Sequence, residues 1–261
     1  MTAVAKGPHP FFSTLPGVWA AVLLLAAAAA PGDAGKVSKE KISFKGRERS
    51  YFLFIPAGIA PERRLSVLVT LHGSGQGAEN YVSSWKEFAE KEMIAVVGPA
   101  SNDSIHWASP EDGPLFLHEI IEQVAARHSI DGRRVYLFGH SAGAVFALQM
   151  AALESEYFAA AAAYAGSLDP KYFNLFDYAK RKIPYLFVIG TQDRFFPLDE
   201  VRATRDALKS RGFPVEYFEM PGQTHNYLRS AREINGRAWE FLRKNPLPSD
   251  PNYTVYWDPA R

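Results

Sequence analysis

Cysteine is missing from all 261 residues. Disulfides, thiolate-held zinc or iron–sulfur centres and thiol nucleophiles are therefore excluded. A surplus of either charge is missing too, since 29 basic residues face 28 acidic ones. Such a chain has no broad field to draw in a nucleic acid or an anionic membrane, and neither is expected as a partner. Long apolar runs are scarce. The one that stands out, Val18 to Ala30 (VWAAVLLLAAAAA), is shorter than the roughly 20 residues a membrane helix needs. No H-E-x-x-H metal motif and no Gly-Lys-Ser/Thr phosphate loop occurs, so no metal or cofactor is expected. With 47% apolar and 22% charged residues, what remains is an ordinary globular composition.

That one apolar run lies in a leader-like segment, residues 1–34. Lys6 precedes it, and Gly32 and Ala34 supply small side chains at −3 and −1 of a cleavage before Gly35. The pattern predicts an export signal, with an uncleaved anchor as the alternative. A secreted chain without cysteine suits the periplasm or exterior of a bacterium, where disulfides are optional. After leader cleavage no membrane contact is expected. Residues 35–245 read as one domain. The tail, 246–261, carries Pro246, Pro248, Pro251 and Pro259 with Tyr253, Tyr256 and Trp257, and reads as an extended surface strap.

Within the domain, a hairpin is predicted over Lys39–Ile55, turning at Lys45-Gly46-Arg47. Continuous apolar runs then predict buried parallel strands at Ser66–Leu71, Ile94–Gly98, Arg134–Phe138, Ala159–Ala165, Tyr185–Ile189 and Val215–Glu219. Helical periodicity falls between them, over Glu79–Glu92, Pro114–His128, Ala142–Leu153, Leu198–Arg211 and Ser230–Lys244, with a shorter helix over Tyr172–Lys182. Strands alternating with helices imply an α/β fold, a mostly parallel sheet covered on both faces and without a large cap.

Chemistry gathers at strand ends. Gly139-His140-Ser141-Ala142-Gly143 follows one strand and opens a helix, the strand–turn–helix context of a G-x-S-x-G nucleophile elbow. So tight a turn leaves no room for a Cβ at either glycine, and it lifts the serine hydroxyl to a helix N-terminus that favours developing negative charge. Leu71-His72-Gly73-Ser74-Gly75 ends an earlier strand, where such folds draw one oxyanion donor, the other coming from the residue after the nucleophile. The expected donors are the backbone N–H groups of Ser74 and Ala142. A dinucleotide site is the competing reading, because Gly73-x-Gly75-x-x-Ala78 fits G-x-G-x-x-A, yet the next strand ends without the acid that would hold a ribose.

A serine nucleophile needs a base. His9 lies in the leader, His118 and His128 fall in a helix, and His72 and His140 flank backbone turns where local hydrogen bonds would hold them. His225, in Met220-Pro221-Gly222-Gln223-Thr224-His225, stands in a loop after the last strand and is the expected base. The acid should lie between serine and histidine. Asp169 and Asp193 both qualify; Asp169 precedes Pro170 as a turn or cap residue would, and Asp193 follows the strongest late strand in Gly190-Thr191-Gln192-Asp193. Asp193 is the expected orienting acid. His106 and Trp107, in the loop after the strand ending at Pro99, are candidate substrate contacts, and Phe195 and Phe196 candidate edges of an acyl pocket.

Together these residues resemble the α/β-hydrolase superfamily, and more narrowly the secreted esterases of the polyhydroxybutyrate depolymerase and feruloyl esterase group. The resemblance runs from about Gly46 to Leu242. It rests on Leu71-His72-Gly73, Trp107, Ile130-Asp131-x-Arg133-Arg134-Val135-Tyr136, the elbow and Gly190-Thr191-x-Asp193. The sequence departs from the group at Ala144, where glycine is usual, and at Tyr227, where tryptophan is. The resemblance implies a serine esterase acting on small-molecule or polymeric esters by a Ser-His-Asp mechanism. A serine peptidase or amidase with the same groups, and a silent binding protein on the same fold, are the other classes considered.

Overall fold

The computed structural model describes residues 34–253, so the leader lies almost wholly outside the described residues. The domain opens with an antiparallel hairpin, β1 (Val37–Phe44) and β2 (Arg47–Phe54), turning where Lys45 and Gly46 both take positive φ. Next come β3 (Leu65–Leu71), α1 (Ala78–Glu92), β4 (Ile94–Pro99), α2 (Pro114–Ala125), β5 (Ile130–His140), α3 (Ala142–Leu153) and β6 (Ala161–Tyr164). A 3₁₀ segment (Pro170–Tyr178), β7 (Tyr185–Gly190), α4 (Leu198–Ser210), β8 (Val215–Met220) and α5 (Ala231–Leu242) complete it.

All eight strands join one sheet in the order β1-β2-β4-β3-β5-β6-β7-β8, parallel from β4 to β8. Every residue of β3, β4, β6 and β7 is buried, which is why those segments read as mostly apolar runs instead of alternating ones. The path from β3 through α1 to β4 steps toward the hairpin, whereas β4 to β5 and every later step goes the other way. Right-handed crossovers therefore set α1 on one face and α3 and α4 on the other, and α5 returns to pack beside α1. The direction reverses between β3 and β5, and the carboxyl ends of strands at such a reversal are where open α/β sheets place their ligand sites.

Two expectations are corrected. The helix predicted over Tyr172–Lys182 is a 3₁₀ segment over Pro170–Tyr178, begun by Asp169, whose carboxylate accepts the Lys171 N–H at 3.0 Å. Pro170 supplies a fixed φ at the first position, and this start displaces the helical stretch toward the N-terminus. The helix expected to reach His128 stops at Ala125. The tail is a strap as far as it is described. Leu247 is buried with its N–H on the Arg133 carbonyl, Asn252 bonds the Glu156 carbonyl, and the Tyr253 ring stacks on His118 with centroids 3.9 Å apart. Among the described residues no helix is long and apolar enough to cross a membrane.

Candidate active site

Ser141 sits at the end of β5 with φ 57° and ψ −123°, a left-handed conformation that a side chain rarely adopts. Its neighbours show why the turn holds. A Cβ on Gly139 would lie 2.2 Å from the Gly143 carbonyl oxygen, and one on Gly143 would lie 2.1 Å from that of Leu71. Glycine at both positions lets the first turn of α3 press against the ends of β3 and β5. The Ser141 N–H bonds the Tyr164 carbonyl at 3.1 Å, tying the elbow to β6.

His225 reaches this serine from the loop after β8. Its Nε2 is 2.9 Å from Ser141 Oγ and its Nδ1 is 2.8 Å from Asp193 Oδ2. A carboxylate only accepts, so Nδ1 carries the proton and Nε2 offers its lone pair to the serine hydroxyl. The Asp193 side chain is fully buried. Burial alone would raise its pKa, but hydrogen bonds from His225 and from the Phe196 and Phe195 N–H groups outweigh this and hold the carboxyl below its ordinary range. Asp169, the other candidate, is exposed and paired with Lys171 at 2.7 Å. The structure brings Ser141, His225 and Asp193 together and leaves Asp169 apart.

On the other flank, the loop after β3 carries three successive N–H groups. Gly73 donates to the Tyr81 hydroxyl at 3.4 Å and Gly75 to the Ser104 carbonyl at 2.7 Å. Between them, the Ser74 N–H meets no acceptor among the described residues. Nor does that of Ala142, which opens α3 and has no helical carbonyl to bond. Trp107 supports this loop: its indole N–H donates to the His72 carbonyl at 2.8 Å while its ring stacks on Phe146 at 5.1 Å. The loop that carries it is tied by Asp112, a buried carboxylate accepting the Asn102 and Ala108 N–H groups and pairing with Arg49 at 2.6 Å. His106 is exposed, with Nδ1 3.6 Å from Asp103.

Beside His225 and Asp193 lies an open cavity of about 640 Å³, lined by Gln192, Arg194, Phe195, Thr224 and Asn226 among others. Phe195 is 73% exposed and its ring centroid is 4.6 Å from that of His225; Phe196 stacks on the imidazole at 5.8 Å. A larger cavity, about 850 Å³, lies at the opposite end of the sheet around Leu65 and Ser129, far from this chemistry. Among the described residues no group of acidic or histidine side chains could hold a metal.

Sequence reasoning missed two contributors. His140 does not bond locally: its Nδ1 meets the Tyr81 hydroxyl at 2.5 Å and its Nε2 the His225 carbonyl at 2.9 Å. Tyr164 donates to the Thr224 carbonyl at 2.7 Å, a second tie on the histidine loop. Their chemistry lies in which backbone atoms they meet, and no spacing rule announces that.

Known proteins resemble this chain in sequence and in fold. Residues 102–242, more than half of the chain, match the model of the Dienelactone hydrolase family. Poly(3-hydroxyalkanoate) depolymerase C of Paucimonas lemoignei is 34% identical over 128 residues, covering 44% of this chain and 30% of that protein. A bifunctional acetylxylan esterase/xylanase of Neocallimastix patriciarum is 30% identical over 225 residues, 83% of this chain and 29% of that protein. The chain thus spans under a third of the length of either relative. The fold is shared with the CE1 ferulic acid esterase of Anaeromyces mucronatus, at TM-score 0.61 and 18% identity over 77% of this chain and 88% of that one. It is shared too with the fluorophosphonate-binding serine hydrolase FphF of Staphylococcus aureus, at TM-score 0.67 and 15% identity over 80% and 99% of the two chains. The chain is an α/β-hydrolase and belongs to the dienelactone hydrolase family.

Proposed function

We propose that the protein is a serine esterase working through an acyl-enzyme. Ser141 attacks the ester carbonyl while His225 Nε2 takes the hydroxyl proton, and Asp193 holds the imidazole in the required tautomer and stabilises the imidazolium. The N–H groups of Ser74 and Ala142 receive the oxyanion, each such donor typically worth about 10²–10³ in rate. His225 then protonates the leaving alcohol, and water repeats the sequence on the acyl-enzyme. One observation carries this reading: a continuous hydrogen-bonded line from Ser141 Oγ through His225 to a buried carboxylate, at the sheet's reversal point.

Substrate size follows from what covers the site. The stretch between β6 and β7, where an apolar lid would be inserted, holds only the short 3₁₀ segment, with Lys180, Arg181 and Lys182 after it. The cavity beside His225 is open and edged by Phe195. Short or aromatic acyl groups suit such a site, with the alcohol side free to be a sugar or a polymer. The names of the relatives, a polyhydroxyalkanoate depolymerase and an acetylxylan esterase, point the same way. Export by the 1–34 leader would bring the enzyme to such polymers, and the mass of the mature protein tests that step.

A fluorophosphonate should label Ser141, and Ser141→Ala should lose labelling and nearly all turnover while remaining folded. Acetyl, butyryl or feruloyl esters should be cleaved faster than palmitoyl esters and faster than matched amides. Turnover kept in Ser141→Ala would overturn the mechanism. A kcat/KM rising steadily to palmitoyl would overturn the substrate assignment.

A further inference from the structure

His140 occupies the variable position of the elbow, beside the nucleophile, yet its side chain points away from the serine hydroxyl into the core and is 1% exposed. Both ring nitrogens are engaged, and their partners fix the tautomer. The His225 carbonyl can only accept, so His140 Nε2 carries a proton. Burial, chiefly, with the neighbouring His225, pushes the His140 pKa down to about 4, so the ring is neutral and Nδ1 is bare. The Tyr81 hydroxyl, 2.5 Å away, must then be the donor to Nδ1. Its single proton being spent there, the oxygen faces the Gly73 N–H as an acceptor. The atom placed against this oxygen is Gln76 Oε1, and with the Tyr81 proton on His140 the one-way chain requires that amide to be turned so that its NH₂ faces Tyr81.

The result is a chain of donors that all run one way: Gly73 N–H to Tyr81 O, Tyr81 O–H to His140 Nδ1, His140 Nε2–H to the His225 carbonyl. It begins in the loop that carries the Ser74 N–H and ends on the residue that carries the base. Tyr81 and His140 are buried and stacked with Tyr227, at 5.1 and 5.6 Å, so neither ring can turn to find another partner.

We propose that His140 is a positioning residue that, through Tyr81, couples the oxyanion loop to the base loop and sets the placement of His225 against Ser141. This rests on the mechanism given above. A line of hydrogen bonds with one direction keeps both loops in one arrangement relative to the strained serine, and a shift of about 1 Å at a reacting group can cost about 100-fold in rate.

The test uses side chains that cut the chain at different links. Asparagine at 140 has an amide near the position of Nδ1 and stays within reach of Tyr81, but falls short of the His225 carbonyl. Glutamine places its amide near Nε2 and can donate there. With 4-nitrophenyl acetate, His140→Asn and Tyr81→Phe should each lower kcat by about 10–100-fold with KM changed by less than about threefold. His140→Gln keeps the donor to the His225 carbonyl but gives the Tyr81 hydroxyl no acceptor, so it should lose kcat to the same extent as Tyr81→Phe. Tyr81→Phe added to His140→Asn should cost little more, because the chain is already cut. In the unsubstituted protein, ¹⁵N spectra should show His140 protonated at Nε2 and bare at Nδ1 at neutral pH.

His140→Asn turning over at the unsubstituted rate, His140→Gln doing so while Tyr81→Phe is slow, or additive losses in the double variant would each overturn the proposal. So would the opposite tautomer. A purely structural role would lower thermal stability in both His140 variants, move KM together with kcat and make the losses with Tyr81→Phe additive. Fluorophosphonate labelling keeps the two readings apart. No labelling of Ser141 in the unsubstituted protein sinks the underlying mechanism and leaves the tautomer measurement standing. Labelling of His140→Asn at the unsubstituted rate sinks the coupling alone.

Discussion

Ser141 is served from two flanks built differently. The oxyanion flank is packed: the loop after β3 is backed by Trp107 on the His72 carbonyl, and the Trp107 loop is gathered around buried Asp112 and Arg49. The base flank combines a buried anchor with an open mouth. Asp193 is hidden, His225 is partly exposed, and Phe195 stands almost free in front of them. The difference teaches that strand-end loops need not be loose to carry function. On the proposed mechanism, one flank would fix backbone donors common to any ester, and the other would present the side chains that choose among esters.

The sharpest way to break that contrast is at the acid. Asp193→Asn should lower kcat/KM by about 10⁴-fold by spoiling the tautomer of His225, whereas Asp169→Asn, on an exposed cap, should stay within about twofold. The reverse ranking, measured on one acetyl ester, would move the acid role to Asp169 and undo the description of the base flank.

Acid should find the packed interior next. His140 and His72 are held neutral, burial pushing both pKa values down, His140 to about 4. As pH falls below about 6.5 the unfolded chain takes up protons that the folded one refuses, so stability present above that pH is lost on the way to about 4. For His140 the loss is about 3 kcal/mol. Urea midpoints at falling pH should show it, and His140→Gln should flatten the curve; an unchanged slope would mean that this histidine is not held neutral by the fold.

Smaller effects separate the flanks directly. Trp107→Phe keeps the ring stack and deletes the N–H on His72, so kcat should fall by about tenfold with KM nearly unchanged. Phe195→Ala should do the opposite, raising KM for aryl esters by about threefold and sparing kcat. If both variants moved KM alone, Trp107 would be a substrate contact and the two flanks would not differ in kind.

How much of this was legible beforehand depended on whether a signal was local. The strands of the parallel sheet were readable because β3, β4, β6 and β7 are buried on both faces and had to be largely apolar, with few polar residues such as Ser66 and Thr70 among them. The elbow was readable because steric exclusion at Gly139 and Gly143 leaves a fixed spelling. Asp169 and Asp193 both accept an N–H two residues on, so sequence saw two similar loop acids. The flanking strand and Pro170 favoured Asp193 over Asp169, and the sheet order, which sets the end of β7 within reach of the β8 loop, gives the physical reason. Trp107 and His140 were harder still. Each works through a carbonyl distant in sequence, His72 for one and His225 for the other, and a carbonyl is common to every residue.

The strap after α5 has a practical side. Leu247 is held at Arg133, near the start of β5, and Pro251 packs close to Gly132, so the described chain leaves from the end of the sheet remote from Ser141. Anything joined downstream, a tag, a bead or a second module that grips an insoluble material, would be tethered through a strap anchored at the molecule's back. The catalyst could then be immobilised by that end with its mouth turned outward toward a solid substrate.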